Sequence, residues 1–101
     1  MKIGILGSGA VGKALAAGFA AEGHEVKLGT RDPGAAKITD WLASAGKGIS
    51  AGTFAGTAKF GEMIILCPLY RAVEEVIKLA GKENLKGKIV VDTTNPIADE
   101  P

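Results

Sequence analysis

Two apolar periods alternate along this chain. Short runs in which almost every residue, or every second one, is apolar give way to longer stretches where apolar residues recur every three or four positions, the signatures of strand and helix. The first run is Met1-Lys2-Ile3-Gly4-Ile5-Leu6, and past the glycine-rich turn Val11, Leu15 and Phe19 carry helical spacing through Glu22. Gly18 inside this helix predicts close packing on a sheet, because glycine in a helix interior costs about 1 kcal/mol relative to alanine. Gly23 is the natural stop. Glu25 to Gly29 alternates as a second strand, with His24 just before it on solvated surface at the end away from the glycine turn. Asp32-Pro33 reads as an N-cap followed by proline at the first helical position. The helix behind it puts Ile38, Trp41, Leu42 and Ala45 on one face and stops at Gly46, so Trp41 belongs to the core.

The second half repeats the alternation. Gly48 to Ala51 has room for a short third strand, and Thr53 caps a short helix over Phe54 to Phe60 that ends at Gly61. Glu62 to Cys67 is near-continuously apolar, as a strand buried on both faces of a parallel sheet must be. Pro68 ends it. From Arg71 to Ala80, the residues Val73, Val76, Ile77 and Ala80 share a helical face, with Glu74 and Lys78 as an exposed pair one turn apart. Lys86-Gly87-Lys88 turns into a fifth strand, Ile89 to Asp92, followed by Thr93-Thr94-Asn95-Pro96. Strand and helix in strict succession imply right-handed crossovers and an α/β fold with a doubly wound parallel sheet. The expected order is 3-2-1-4-5, with the winding reversing between strands one and four.

Ligands of such sheets bind beyond the carboxyl ends of the strands at that reversal. Four segments should therefore meet on one rim: the glycine turn, Thr30-Arg31, Cys67-Pro68-Leu69-Tyr70, and Thr93 to Pro96. The turn itself, Gly7-Ser8-Gly9-Ala10-Val11-Gly12, has the spacing G-x-G-x-x-G between strand and helix. In that setting the first glycine makes the tight turn, the second lets the backbone approach a pyrophosphate, and the third lets the helix pack close to the strand. The helix start then offers free N–H groups and a positive dipole end to an anion. At the end of strand two, where an NAD-selective site places a carboxylate, stand Thr30 and Arg31. A guanidinium pairs with a 2′-phosphate and stacks on adenine, so the sequence favours NADP(H), with Asp32 assigned to the helix cap.

Composition narrows the picture further. The chain has 101 residues, 47% of them hydrophobic and 23% charged, with net charge +1, as expected of one globular, soluble domain. No basic stripe is present to neutralise a row of phosphates, which argues against nucleic acid as a partner. The apolar runs fall well short of the roughly 20 residues of a membrane helix, so no membrane partner is expected. One cysteine makes neither an internal disulfide nor a zinc cluster and fits a reducing, cytoplasmic setting. Cys67 itself reads as small filler at the rim rather than as a nucleophile.

Taken together, MKIGILGSGAVGKALA, LGTRDP, MIILCPLYRAV and IVVDTTNPI resemble the Rossmann-like NADPH-binding domain of the NADPH-dependent reductases of the 8-hydroxy-5-deazaflavin coenzyme F420. The resemblance covers the whole of residues 1–101. It implies that Gly7 to Gly12 hold the pyrophosphate, that Thr30 and Arg31 hold the 2′-phosphate, and that Cys67, Pro68, Leu69 and Tyr70 line the path from adenosine to nicotinamide. Asn95 and Pro96 would then meet the nicotinamide end. It also implies hydride transfer between NADPH and the deazaflavin as small-molecule redox substrate, and a further C-terminal domain, expected to be absent here, that supplies much of the deazaflavin pocket. No acid–base pair stands out, so no catalytic residue is assigned, and no metal ligand. Two other readings stay open: a dinucleotide-binding module without chemistry of its own, and a reductase of another substrate, since pyrroline-carboxylate reductases open with a similar strand and glycine turn. The fifth strand, apolar and weakly guarded by Lys86 and Lys88, predicts an edge covered either by a further part of a longer protein or by a second copy, as a homodimer.

Overall fold

The computed structural model of the chain describes residues 1–67 and 73–93. Its elements are β1 (Lys2–Leu6), α1 (Ala10–Ala21), β2 (Glu25–Gly29), α2 (Ala36–Ala45), β3 (Ile49–Gly52), α3 (Phe54–Phe60), β4 (Met63–Leu66), α4 (Val73–Ala80), α5 (Lys82–Leu85) and β5 (Ile89–Asp92). All strand pairs are parallel, in the order β3-β2-β1-β4-β5. This is the doubly wound sheet that the alternating pattern implies.

Strand periodicity sorts the core into two layers. In β1, Ile3 and Ile5 face one side and pack with Val26, Leu28 and Ile65 against Ala16 of α1 and Ile38 of α2. Leu6 faces the other side, where Ile64 and Leu66 of β4 meet Phe54 and Ala58 of α3 and Val76 and Ala80 of α4. Ile3, Ile5, Leu6, Leu28 and Ile64 have no exposed surface, and each such side chain contributes about 1.5–3 kcal/mol by leaving water. The central strands are thus buried on both faces, as β4 predicts. Only β5 is exposed along its whole length, with Ile89 64% accessible at the sheet edge.

Helix ends follow local chemistry. The Thr53 side chain accepts a hydrogen bond from the Gly56 N–H at 3.0 Å and so caps α3, as expected. The other end of α3 is closed by a residue distant in sequence: the Lys88 ammonium donates to the carbonyls of Ala58 and Lys59, where orphan acceptors and the negative dipole end attract a cation. Lys88 is therefore tied to α3 instead of guarding the β5 edge.

Several expectations are corrected. Asp32 does not cap α2. Its carboxylate accepts from the Gly34 N–H at 3.2 Å and its carbonyl from Ala35, so Asp32-Pro33 forms a separate turn and the helix begins at Ala36. His24 is half-buried rather than solvated, its Nδ1 3.0 Å from the Met1 ammonium and its ring edge-on to Phe19. Residues 82–85 form the extra turn α5 between α4 and β5, an element that the apolar spacing does not announce. On α1 the apolar face turns out to be Gly12 and Ala16, with Leu15 and Phe19 alongside, while Val11 is 61% exposed. Gly18 is exposed too, with open space where a Cβ would go.

The close approach belongs to Gly12 instead. A Cβ at Gly12 would lie 2.4 Å from the Gly7 carbonyl oxygen and 3.5 Å from the Ile5 side chain. Because the clashing atom is backbone, nothing cheap can yield. Gly12→Ala should therefore destabilise the fold by about 3 kcal/mol, the upper end of overpacking costs. Gly18→Ala should instead stabilise it by about 0.5–1 kcal/mol through helix propensity. Urea unfolding followed by circular dichroism measures both, and midpoints moving in the same direction would refute this assignment of the two glycines.

Candidate functional site

Register builds the rim. Leu6 is aligned with Gly29 on one side and Leu66 on the other, Gly29 with Gly52, and Leu66 with Asp92. All five strands therefore end level, and the next residues continue the pairing: Gly7 N–H donates to Gly29, Thr30 to Gly52, Cys67 to Leu6 and Thr93 to Leu66, at 2.9–3.0 Å. Gly7, Thr30, Cys67 and Thr93 are thereby fixed side by side at the carboxyl edge of the sheet, flanking the reversal between β1 and β4.

The loop from β1 to α1 has the form its glycines suggest. Gly7 turns the chain with φ of 136°, a conformation open to glycine and strained for other residues. Gly9 is the extended residue before α1, exposed, with nothing within 4 Å of a built Cβ. No side chain caps the start of α1 and no acid lies in its first turn, so the donors and positive dipole end of a 12-residue helix are directed at the rim. Ala10 and Val11, both exposed, form the first turn beside this opening. Val11 thus belongs to the rim and not to the core face. A carboxylate or phosphate group fits such a cradle.

Beside the loop, the Ser8 hydroxyl donates to the Thr30 hydroxyl at 3.3 Å. Thr30 is buried, at 8% exposure, whereas the next side chain, Arg31, reaches into solvent. There its Nη1 meets Glu75 Oε1 of α4 at 2.5 Å. The anticipated Glu74–Lys78 pair is not formed, and both of those side chains are exposed. Hydrogen bonding and charge from Arg31 hold the Glu75 carboxyl below its usual range, and the same partner raises the guanidinium. Nothing in local spacing announces Glu75, since its partner lies on the far side of β1.

At the β4–β5 end, the Cys67 thiol lies 3.1 Å from the Thr93 hydroxyl, which itself donates to the Leu66 carbonyl at 2.6 Å. Burial pushes the Cys67 thiol up from its ordinary pKa and the nearby Asp92 charge adds to this. A hydroxyl turned toward sulfur would favour the thiolate, but Thr93 spends its proton on Leu66. Among the expected site residues, Pro68, Leu69, Tyr70, Asn95 and Pro96 lie outside the described residues, as does Thr94. Among the described residues no three His, Cys, Asp or Glu side chains gather as a metal site would require, and no helix is long and apolar enough to cross a membrane.

A family model described as NADP oxidoreductase coenzyme F420-dependent matches residues 2–96. Among solved structures, a candidate F420-dependent NADP reductase from Arthrobacter sp. FB24 is 38% identical and superposes with a TM-score of 0.87, over 95% of this chain and 46% of that one. An imine reductase from Streptomyces aurantiacus is 27% identical with a TM-score of 0.73, over 93% of this chain and 32% of its own. A Myxococcus stipitatus imine reductase variant, in complex with NAD+, shares the fold at 20% identity and a TM-score of 0.76, over 92% of this chain and 31% of that one. This chain thus spans less than half the length of each of these structures. No curated protein matches it.

The Cys67 environment makes a direct prediction. Because desolvation penalises the thiolate, the pH profile of Cys67 alkylation by iodoacetamide should have its midpoint above the ordinary thiol value of about 8.5. The reaction should be slow at neutral pH. A midpoint at or below that value would mark Cys67 as an activated thiol and overturn its reading as rim filler.

Proposed function

This chain belongs to the NADP oxidoreductase, coenzyme F420-dependent family, and from that premise we propose that its rim holds NADP(H) for hydride exchange with a deazaflavin coenzyme. The observation that carries the reading is the placement of Thr30 and Arg31 directly after β2, with the Thr30 hydroxyl accepting from Ser8 of the glycine loop. In this assignment Gly7, Ser8 and Gly9 and the first turn of α1, Ala10 to Gly12, receive the pyrophosphate. Thr30 and Arg31 receive the 2′-phosphate by hydroxyl and guanidinium donors. Cys67, with Pro68, Leu69 and Tyr70 after it, lines the way toward the nicotinamide, where Asn95 and Pro96 are assigned.

When bound, NADPH would supply the chemistry, a hydride on the nicotinamide C4 for the deazaflavin C5. The chain's part is to fix the dinucleotide so that two rings can meet and to keep water away, which requires positioning more than an acid or a base. The half-buried Cys67, whose thiolate burial disfavours, and the Thr93 hydroxyl, whose proton goes to the Leu66 carbonyl, offer no activated acid or base, which suits a positioning role. A second reading keeps the cofactor and changes the acceptor to a C=N bond, and it is favoured by the likeness to the Streptomyces imine reductase. Mixing the protein and NADPH with either the deazaflavin or a cyclic imine, and following nicotinamide absorbance, separates the two readings. Binding without turnover in both would leave a dinucleotide-binding module.

Two substitutions test the cofactor assignment itself. Arg31→Ala should weaken NADPH about ten- to a hundredfold, as expected for losing hydrogen bonds to a charged group, and leave NADH nearly unchanged. Calorimetric titration of both cofactors decides this, equal losses being incompatible with the 2′-phosphate assignment. Gly9→Val should abolish binding of both cofactors while the circular dichroism spectrum persists, since the space beside Gly9 is empty of protein. Retained binding would put the pyrophosphate elsewhere.

A further inference from the structure

The contact between Arg31 and Glu75 does not follow from the fold's needs. Arg31 leaves the end of β2 and Glu75 belongs to α4, which follows β4. The two strands stand on opposite sides of β1, so the ion pair reaches across the end of β1, beside the glycine loop. Its partners are exposed, at 57% and 54% of their side-chain surface, and exposed ion pairs contribute little to stability. What the pair does is occupy a guanidinium. Carboxylate and phosphate present the same oxygen geometry to that planar fork, and they compete for the same donors.

We propose that Glu75 is a specificity-determining residue at the adenosine end: its carboxylate holds Arg31 and must release it before a 2′-phosphate can take its place. NAD-selective sites exclude the phosphate with an acid at the end of the second strand. Here that position is Thr30-Arg31, and the nearby Asp32 carboxylate is engaged with the Gly34 N–H. The opposing acid comes instead from α4, on the other side of the loop. Glu75 thus moderates the preference for NADP(H) that Arg31 creates, by competing with the 2′-phosphate for the guanidinium. The inference rests on the assignment of Arg31 to the 2′-phosphate.

The test is a double-substitution cycle on Glu75→Gln and Arg31→Ala, with NADPH and NADH titrated calorimetrically into each protein. Glu75→Gln keeps the shape and removes the charge, and thermal melting should match the parent because the pair is solvent-exposed. NADPH should bind about three- to fivefold tighter to Glu75→Gln, the scale of an exposed ion pair, with NADH changed much less. In the Arg31→Ala background the same substitution should give no gain. Weaker NADPH binding by Glu75→Gln would mean that Glu75 positions the guanidinium for the phosphate, and would overturn the proposal. So would an equal gain for NADH, or a gain that survives without Arg31. The Arg31→Ala arm alone judges the underlying assignment: equal losses of both cofactors there would remove it and the proposal together, whereas a selective loss of NADPH with no gain in Glu75→Gln would remove the proposal only.

Discussion

The contact on which the site depends is the one between Gly12 of α1 and the carbonyl of Gly7. Only a residue without a side chain lets the helix start so near the strand it follows, and that nearness directs the helix's first N–H groups at the rim. Gly7 turns, Gly9 stays clear and Gly12 admits the helix, so three glycines with three separate tasks fix one direction in space. Moving α1 outward by the width of a methyl group would shift its dipole end away from the place where Ser8 and Thr30 meet. The same economy recurs on the opposite face, where a Cβ at Gly4 would lie 2.6 Å from the Thr57 carbonyl and so α3 can lie close against β1.

Level strand ends do the rest. Because the register aligns Leu6, Gly29, Gly52, Leu66 and Asp92, residues drawn from the whole length of the chain reach one edge at one height. The glycine loop and Thr30-Arg31 form the half that can grip an anionic cofactor. Cys67 and Thr93 form the other half, closed by hydrogen bonds within the protein and chemically quiet. The Arg31–Glu75 pair joins the two halves over β1, which makes it the one described side-chain ion pair whose loss the rim would register more than the core.

Much of this was legible in the sequence, and the exceptions share a cause. Strand order, the short helix behind Thr53 and the double burial of β4 follow from local periodicity and capping, which a linear reading captures. Asp32-Pro33 misleads because an aspartate that bonds two residues ahead in a turn has the same local signature as a helix cap. Val11 misleads because the face of α1 is set by where Gly12 can approach Gly7, and the spacing of apolar residues carries no record of that. Lys88 and Glu75 are invisible for a further reason: their partners, Ala58 and Arg31, are brought near only by the completed sheet. The rim's composition could thus be read from the chain, while the ion pair that spans it could not.

The strand order also has a consequence for folding kinetics. Everything assigned to the pyrophosphate and the 2′-phosphate lies in the contiguous β1-α1-β2 unit, whose contacts close short loops, whereas β4 pairs with β1 only after Ile3 has found Met63. Local contacts form early and distant parallel pairings late. The glycine-loop part of the rim is therefore the part able to assemble first, and the part built by Cys67 and Thr93 is completed last. A dinucleotide bound at the finished rim stabilises the native state by mass action, by about 2.7 kcal/mol at a hundredfold excess over its dissociation constant. By that mass action the nucleotide pool would favour the state in which the late strands are in place, so that binding at the rim and completion of the sheet become one equilibrium.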